Sequence, residues 1–182
     1  SSNNVHLVGE GQQITTLKTT TTNAAIITLS GVNQGVSNMT LDTTGAPTVG
    51  QILLSFTGGT SSYSFVRSVR FLSGFNHVKN FTNYVLIDSC VFLPSVTDGR
   101  AIWLAGGLFT FVSNCIIKST VTTTAAVLDV DGGSANSEIV NTQIDGTGRA
   151  VWTHGTGGSQ IHYTNCLFNT TSTAVNTLDL SD

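Results

Sequence analysis

The chain is short of charge. Seven Lys plus Arg and ten Asp plus Glu make up 9% of its 182 residues, against roughly 25% in an ordinary soluble domain. Seven cations at a net charge of −3 are too few to line a nucleic-acid groove or an anionic lipid patch, and both are excluded as functions. No apolar run approaches the roughly 20 residues of a membrane span, so membrane insertion is not expected. The strong helix formers Glu, Lys, Ala and Leu are scarce, and no 3.6-residue apolar period is visible, which argues against a helical protein. Disorder is excluded as well, because 40% of residues are hydrophobic and mean hydropathy is +0.19. No signal peptide is visible, and a first residue Ser1 suggests a piece of something longer.

Hydroxyl and amide side chains fill the gap. Thr, Ser and Asn number 29, 19 and 14, or 62 of 182 residues. With Val, Ile, Phe and Gly they suit strands and turns. The length fits one domain, residues 1–182, with a substantial core.

Internal repetition carries the fold assignment. The segment Asn114-Cys115-Ile116-Ile117 recurs at Asn38-Met39-Thr40-Leu41, Ser68-Val69-Arg70-Phe71, Ser89-Cys90-Val91-Phe92, Asn141-Thr142-Gln143-Ile144 and Asn165-Cys166-Leu167-Phe168, with a weaker copy at Ile14-Thr15-Thr16-Leu17. From position 38 onward the steps are 30, 21, 25, 27 and 24 residues, so similar strands are joined by variable loops. A second strand follows most anchors, as in Ala101-Ile102-Trp103-Leu104, and a third runs into the next anchor, as in Leu108-Phe109-Thr110-Phe111-Val112. Glycine pairs at 58–59, 106–107, 132–133 and 157–158 mark turns. Three short strands per repeat describe one coil of a parallel β-helix, here about seven coils stacked at ~4.8 Å.

Equivalent positions then form files along the rod. The second anchor position (Met39, Val69, Cys90, Cys115, Thr142, Cys166) and the fourth (Leu17, Leu41, Phe71, Phe92, Ile117, Ile144, Phe168) face inward. All three cysteines fall in one inward file and read as buried reduced thiols. A Cys90–Cys115 disulfide is sterically conceivable, whereas metal binding lacks the ligand spacing. The third position should face outward and carries Val91, Ile116 and Leu167. A parallel sheet apolar on both faces is normally covered on both, so a subunit or another part of the parent protein is expected there.

Asn-Cys-x-Ile/Phe anchors, Gly-x-Ala-Ile-x-Leu second strands and the opening Val5-His6-Leu7-Val8-Gly9-Glu10-Gly11 resemble right-handed parallel β-helices of the pectin-lyase-like class, from Val5 to the end. That group includes polysaccharide lyases, glycoside hydrolases and bacteriophage tailspikes and tail fibres. Low charge and short coils look more like the viral members. The resemblance implies a homotrimer in the virion (an extracellular setting), contacting other virion proteins or a cell-surface polysaccharide. The calcium-and-basic-residue motif of the lyases has no counterpart here, so no catalytic residue is carried over and no cofactor is expected.

One constellation stands out. Gly99-Arg100-Ala101-Ile102-Trp103 and Gly148-Arg149-Ala150-Val151-Trp152 are nearly the same five residues, two coils apart. With Ile102, Leu128 and Val151 inward, Trp103, Asp129 and Trp152 share an outward file, with Asp131 and His154 on the same side. Indoles flanking carboxylates could stack on and hydrogen-bond a sugar. Asp129 and Asp131, ~7 Å apart on one strand face, could also run an inverting glycoside hydrolysis. A one-residue slip would instead bury the tryptophans, and Trp also anchors subunit interfaces. Asp131-Gly132-Gly133 is an ordinary turn sequence, and Asp129 to Gly132 is half a calcium loop without its Glu. Arg67, Arg70 and Lys79 with Phe75 and Phe81 could form a small basic-aromatic patch, but a solvated edge is the favoured reading, because the rest of the chain is acidic to neutral. An ice-binding threonine array fails, because the outward third-position file holds Thr only at 16 and 40. The expectation is a virion structural and adhesion rod. A polysaccharide hydrolase or depolymerase using Asp129 and Asp131 is the first alternative, and a capsid decoration protein the second.

Overall fold

The structure, a computed structural model, describes residues 4–20, 24–44, 46–57, 63–119, 127–131, 134, 136–147, 150–153, 160–170 and 178–179. Among these residues every structured element is a strand, and every strand pairing is parallel. The fold is a parallel β-solenoid. Second strands build a seven-stranded sheet, while anchors and third strands together build a twelve-stranded one.

Two features differ from the sequence expectation. The turn between third strand and anchor shrinks to one residue in the left-handed region: Asn38, Ser68, Ser89, Asn114, Asn141 and Asn165 have φ between 49° and 56°. Gly35–Thr43 and Ser64–Leu72 therefore run through it as single nine-residue strands. Asn is the non-glycine residue best suited to that region, which is why it heads four of these anchors. Its side chains also link storeys, with Asn165 Nδ2 donating to Asn141 Oδ1 at 2.7 Å and Asn114 Nδ2 to Asp88 Oδ1 at 3.0 Å. The solenoid also has about five turns rather than seven coils. The anchor count included the two ends, where, among the described residues, the strands Thr16–Thr19 and Leu167–Thr170 have a paired neighbour on one side only.

The inward files pack as stacked columns. Met39, Val69, Cys90, Cys115 and Thr142 are buried, as are Leu41, Phe71, Phe92, Ile117 and Ile144. Third strands contribute Val36, Val66, Ile87, Val112 and Ile139, and second strands Leu54, Val78, Ile102, Leu128 and Val151. Each such side chain is worth about 1.5–3 kcal/mol in removed apolar surface. Phe71 and Phe92 stack at 4.8 Å with their planes 5° apart. The cysteines are free thiols. Cys115 Sγ donates to Ser113 O at 3.1 Å, and burial pushes the Cys90 thiol well above its usual range. Outward, Ile116 and Leu167 are 45% and 53% exposed. Thr40 departs from its outward file's exposure, because its hydroxyl bonds to the Gln12 carbonyl, which covers it.

Candidate functional site

The outward file of the seven-stranded sheet is built by register. Ile102, Leu128 and Val151 pair in line and are buried, so strand alternation turns the next residues outward. Trp103, Asp129 and Trp152 are direct register partners on successive storeys, with Lys79 one storey below Trp103 and Asp179 one above Trp152. His154 and Arg149 lie outside the described residues. Asp131 follows the strand Leu128–Val130 rather than lying in it, and its backbone N–H donates to Leu104 O at 2.8 Å.

The chemistry of this file is that of a closed ionic cluster. Asp129 is 1% exposed, and Arg100 Nε donates to its Oδ2 in a short ion pair. The Lys79 ammonium lies 3.5 Å from the Trp103 ring centre and 4.2 Å from that of Phe81, and the Arg100 guanidinium 4.8 Å from the Trp103 centre. Burial, then the Arg100 charge, lowers the Lys79 ammonium below its ordinary pKa, with Asp131 working the other way. Cations therefore occupy the indole surface that a sugar ring would use at Trp103. Asp129, buried and held by Arg100, is no exposed acid for hydrolysis. Sequence reasoning grouped Lys79 with Phe81 but did not place it in the Trp103 file, because the strand Asn76–Asn80 lacks the Ala-Ile-x-Leu pattern. It missed the Arg100–Asp129 pair although both residues were in view, since one storey's step brings position 100 beside the next outward file.

The remaining candidates separate. Arg67 pairs with Asp88 at 3.3 Å on the other sheet, away from Lys79, and Phe75 is buried. Of the small basic-aromatic patch, Lys79 and Phe81 come together, while Arg67 and Phe75 lie apart from them. Asn80, in a glycosylation-type triplet, is fully buried with its amide on Thr110 Oγ1 at 2.7 Å. Among the described residues no three His, Cys, Asp or Glu side chains converge on a metal position.

A second feature emerges on the third-strand limb. Two residues before the outward file Gly35, Phe65, Leu86, Phe111 and Glu138 lies a column with left-handed backbone: Asn33, Tyr63, Tyr84, Phe109 and Asn136, φ 43° to 56°. Tyr63 stacks on Tyr84 at 4.8 Å and Tyr84 on Phe109 at 4.9 Å, with planes 13° and 5° apart. All three rings are exposed. A bulky residue in that backbone region costs about 1–2 kcal/mol, and each ring pair returns about 0.5–1.5 kcal/mol. Asn, as at 33 and 136, holds the same backbone with less strain. Above Phe109 lies a hollow of about 220 Å³ lined by Phe109, Thr110, Phe111, Asn136 and Glu138. The signal was present in the sequence as aromatics at 63, 84 and 109, at the repeat's own steps.

No family model, no curated protein and no solved structure matches the chain.

Proposed function

We propose that the chain is a virion structural and adhesion component, a β-helix shaft of the pectin-lyase-like class, most like bacteriophage tailspikes and tail fibres. It works as a homotrimer whose subunits meet on the anchor limb of the twelve-stranded sheet, leaving other faces for host-surface glycan or neighbouring virion proteins. The observation that carries this reading is the outward anchor surface, where Ile116 and Leu167 stand exposed near half-buried Leu72, Val91 and Leu93. Parallel sheets with apolar residues on both faces are normally covered on both. The sparse charge of the rest of the surface supports a stiff passive shaft held by backbone ladders and inward files. The hydrolase alternative draws no support from Asp129, whose carboxylate is enclosed by Arg100.

Sedimentation equilibrium tests the reading. The expected particle is about three times the 19.1 kDa chain mass, and Ile116→Lys, at an exposed position, is expected to reduce it to the monomer. A wild-type mass that stays at 19.1 kDa across concentrations excludes the trimer.

A further inference from the structure

The aromatic column on the third-strand limb has a free end. Its rings stack along the rod axis, so each inner face is covered by the next ring. The next storey after Phe109 holds Asn136, and the hollow opens there. We infer that this hollow binds one uncharged hexose ring, which stacks on Phe109 beside Phe111 and hydrogen-bonds to Asn136 and Glu138. The inference rests on the glycan-binding part of the function proposed above and gives it a site different from the tryptophan file.

Five observations point to the class of ligand. The platform is an aromatic ring at the end of a stack with a 4.9 Å repeat, and the apolar C–H face of a pyranose can continue it. The polar groups at the rim are an amide and a carboxylate, which together accept from and donate to ring hydroxyls. An apolar side chain from a partner would leave both unanswered. The volume of about 220 Å³ is below the roughly 300–1,000 Å³ of drug-sized pockets, so one ring fits and a large ligand does not. Among the described residues of the lining Glu138 is the only ionisable side chain, so an acidic sugar is repelled. Exposed Tyr63, Tyr84 and Phe109 hold a backbone conformation that Asn adopts more readily, which a stacking surface explains and stability does not.

Saturation-transfer NMR with methyl β-D-glucopyranoside, N-acetyl-D-glucosamine and methyl β-D-glucuronide is the test. The expected result is millimolar binding of at least one of the two neutral sugars, with the glucuronide weaker by about tenfold. Phe109→Asn matches its column neighbours at 33 and 136 and keeps the left-handed backbone. It should lose binding by about tenfold or more with an unchanged circular dichroism spectrum. Glu138→Gln should remove the discrimination against the glucuronide. No binding of either neutral sugar to the wild type, or full binding by Phe109→Asn, overturns the inference. So does a Phe109→Asn protein that changes its mass and not its sugar binding, since that assigns the column to a second copy. Particle mass, measured on the same samples, reports separately on the trimer, so either idea can fail alone.

Discussion

Replacing Arg100 with Ala is expected to destabilise the chain by about 3 kcal/mol, the lower end of the range for removing one member of a buried ion pair. The carboxylate of Asp129 is 1% exposed and remains in place after the substitution, while Arg100 itself is 21% exposed. The loss is therefore asymmetric. Asp129→Leu leaves a cation that reaches water along its own stem, and should cost less. The double variant Arg100→Met/Asp129→Leu should recover most of the loss, because an apolar pair of similar volume carries no desolvation penalty. Urea unfolding of the four proteins gives the comparison. Equal costs for the two single variants would mean that the pair is solvated and that Asp129 is open to chemistry after all.

The second large effect depends on pH. His77 is fully buried against Phe71 and Phe92, with ring centres at 5.9 and 6.2 Å. Neither ring nitrogen has a hydrogen-bond partner of normal geometry. Burial drives its pKa from 6.5 to about 3, with the Gly74 backbone working the other way. The folded state thus binds fewer protons than the unfolded one. Its stability is complete above pH 6.5 and declines as pH falls from 6.5 towards 3, by about 1.4 kcal/mol per unit. Between pH 6.5 and 4.5 the loss is about 2 kcal/mol, since the full slope is reached only below the unfolded pKa. His77→Leu removes the titrating group and two buried polar atoms, so it should be nearly flat over this window. Asp88, whose carboxyl is held below its ordinary value by bonds from Ser113, Asn114 and Ser89 and by Arg67 despite partial burial, adds its own loss only at lower pH. Urea midpoints at the two pH values decide the matter. Parallel declines in wild type and variant would show that His77 is not the group responsible.

Much of this architecture could be read before any coordinates, because parallel stacking converts a loose sequence period into side-chain files. Ile102, Leu128 and Val151 share a parity in the sequence, and that parity sets the outward direction of Trp103, Asp129 and Trp152. The inward thiols of Cys90 and Cys115 were legible for the same reason. The strand Asn76–Asn80 was not, since Asn76, His77 and Asn80 hide its pattern behind polar residues whose burial is a tertiary effect. Nor was the left-handed residue at each anchor, because Ser68 and Ser89 do not advertise that conformation as Asn does. The pairing of Arg100 with Asp129 depends on contact between storeys, which a repeat alignment places only to the level of the file. The aromatic column at 63, 84 and 109 keeps the anchors' own steps of 21 and 25 residues, but it escaped notice because it sits just before the third strand, where Asn33 and Asn136 break the aromatic pattern.

The stacking of turns is tested most directly by through-space NMR contacts from Phe92. The account predicts contacts to Phe71 on one side and Ile117 on the other, 21 and 25 residues away, with no close Hα–Hα pairs between neighbouring strands. Close Hα–Hα pairs of the antiparallel kind, or a Phe92 ring touching neither residue, would contradict it.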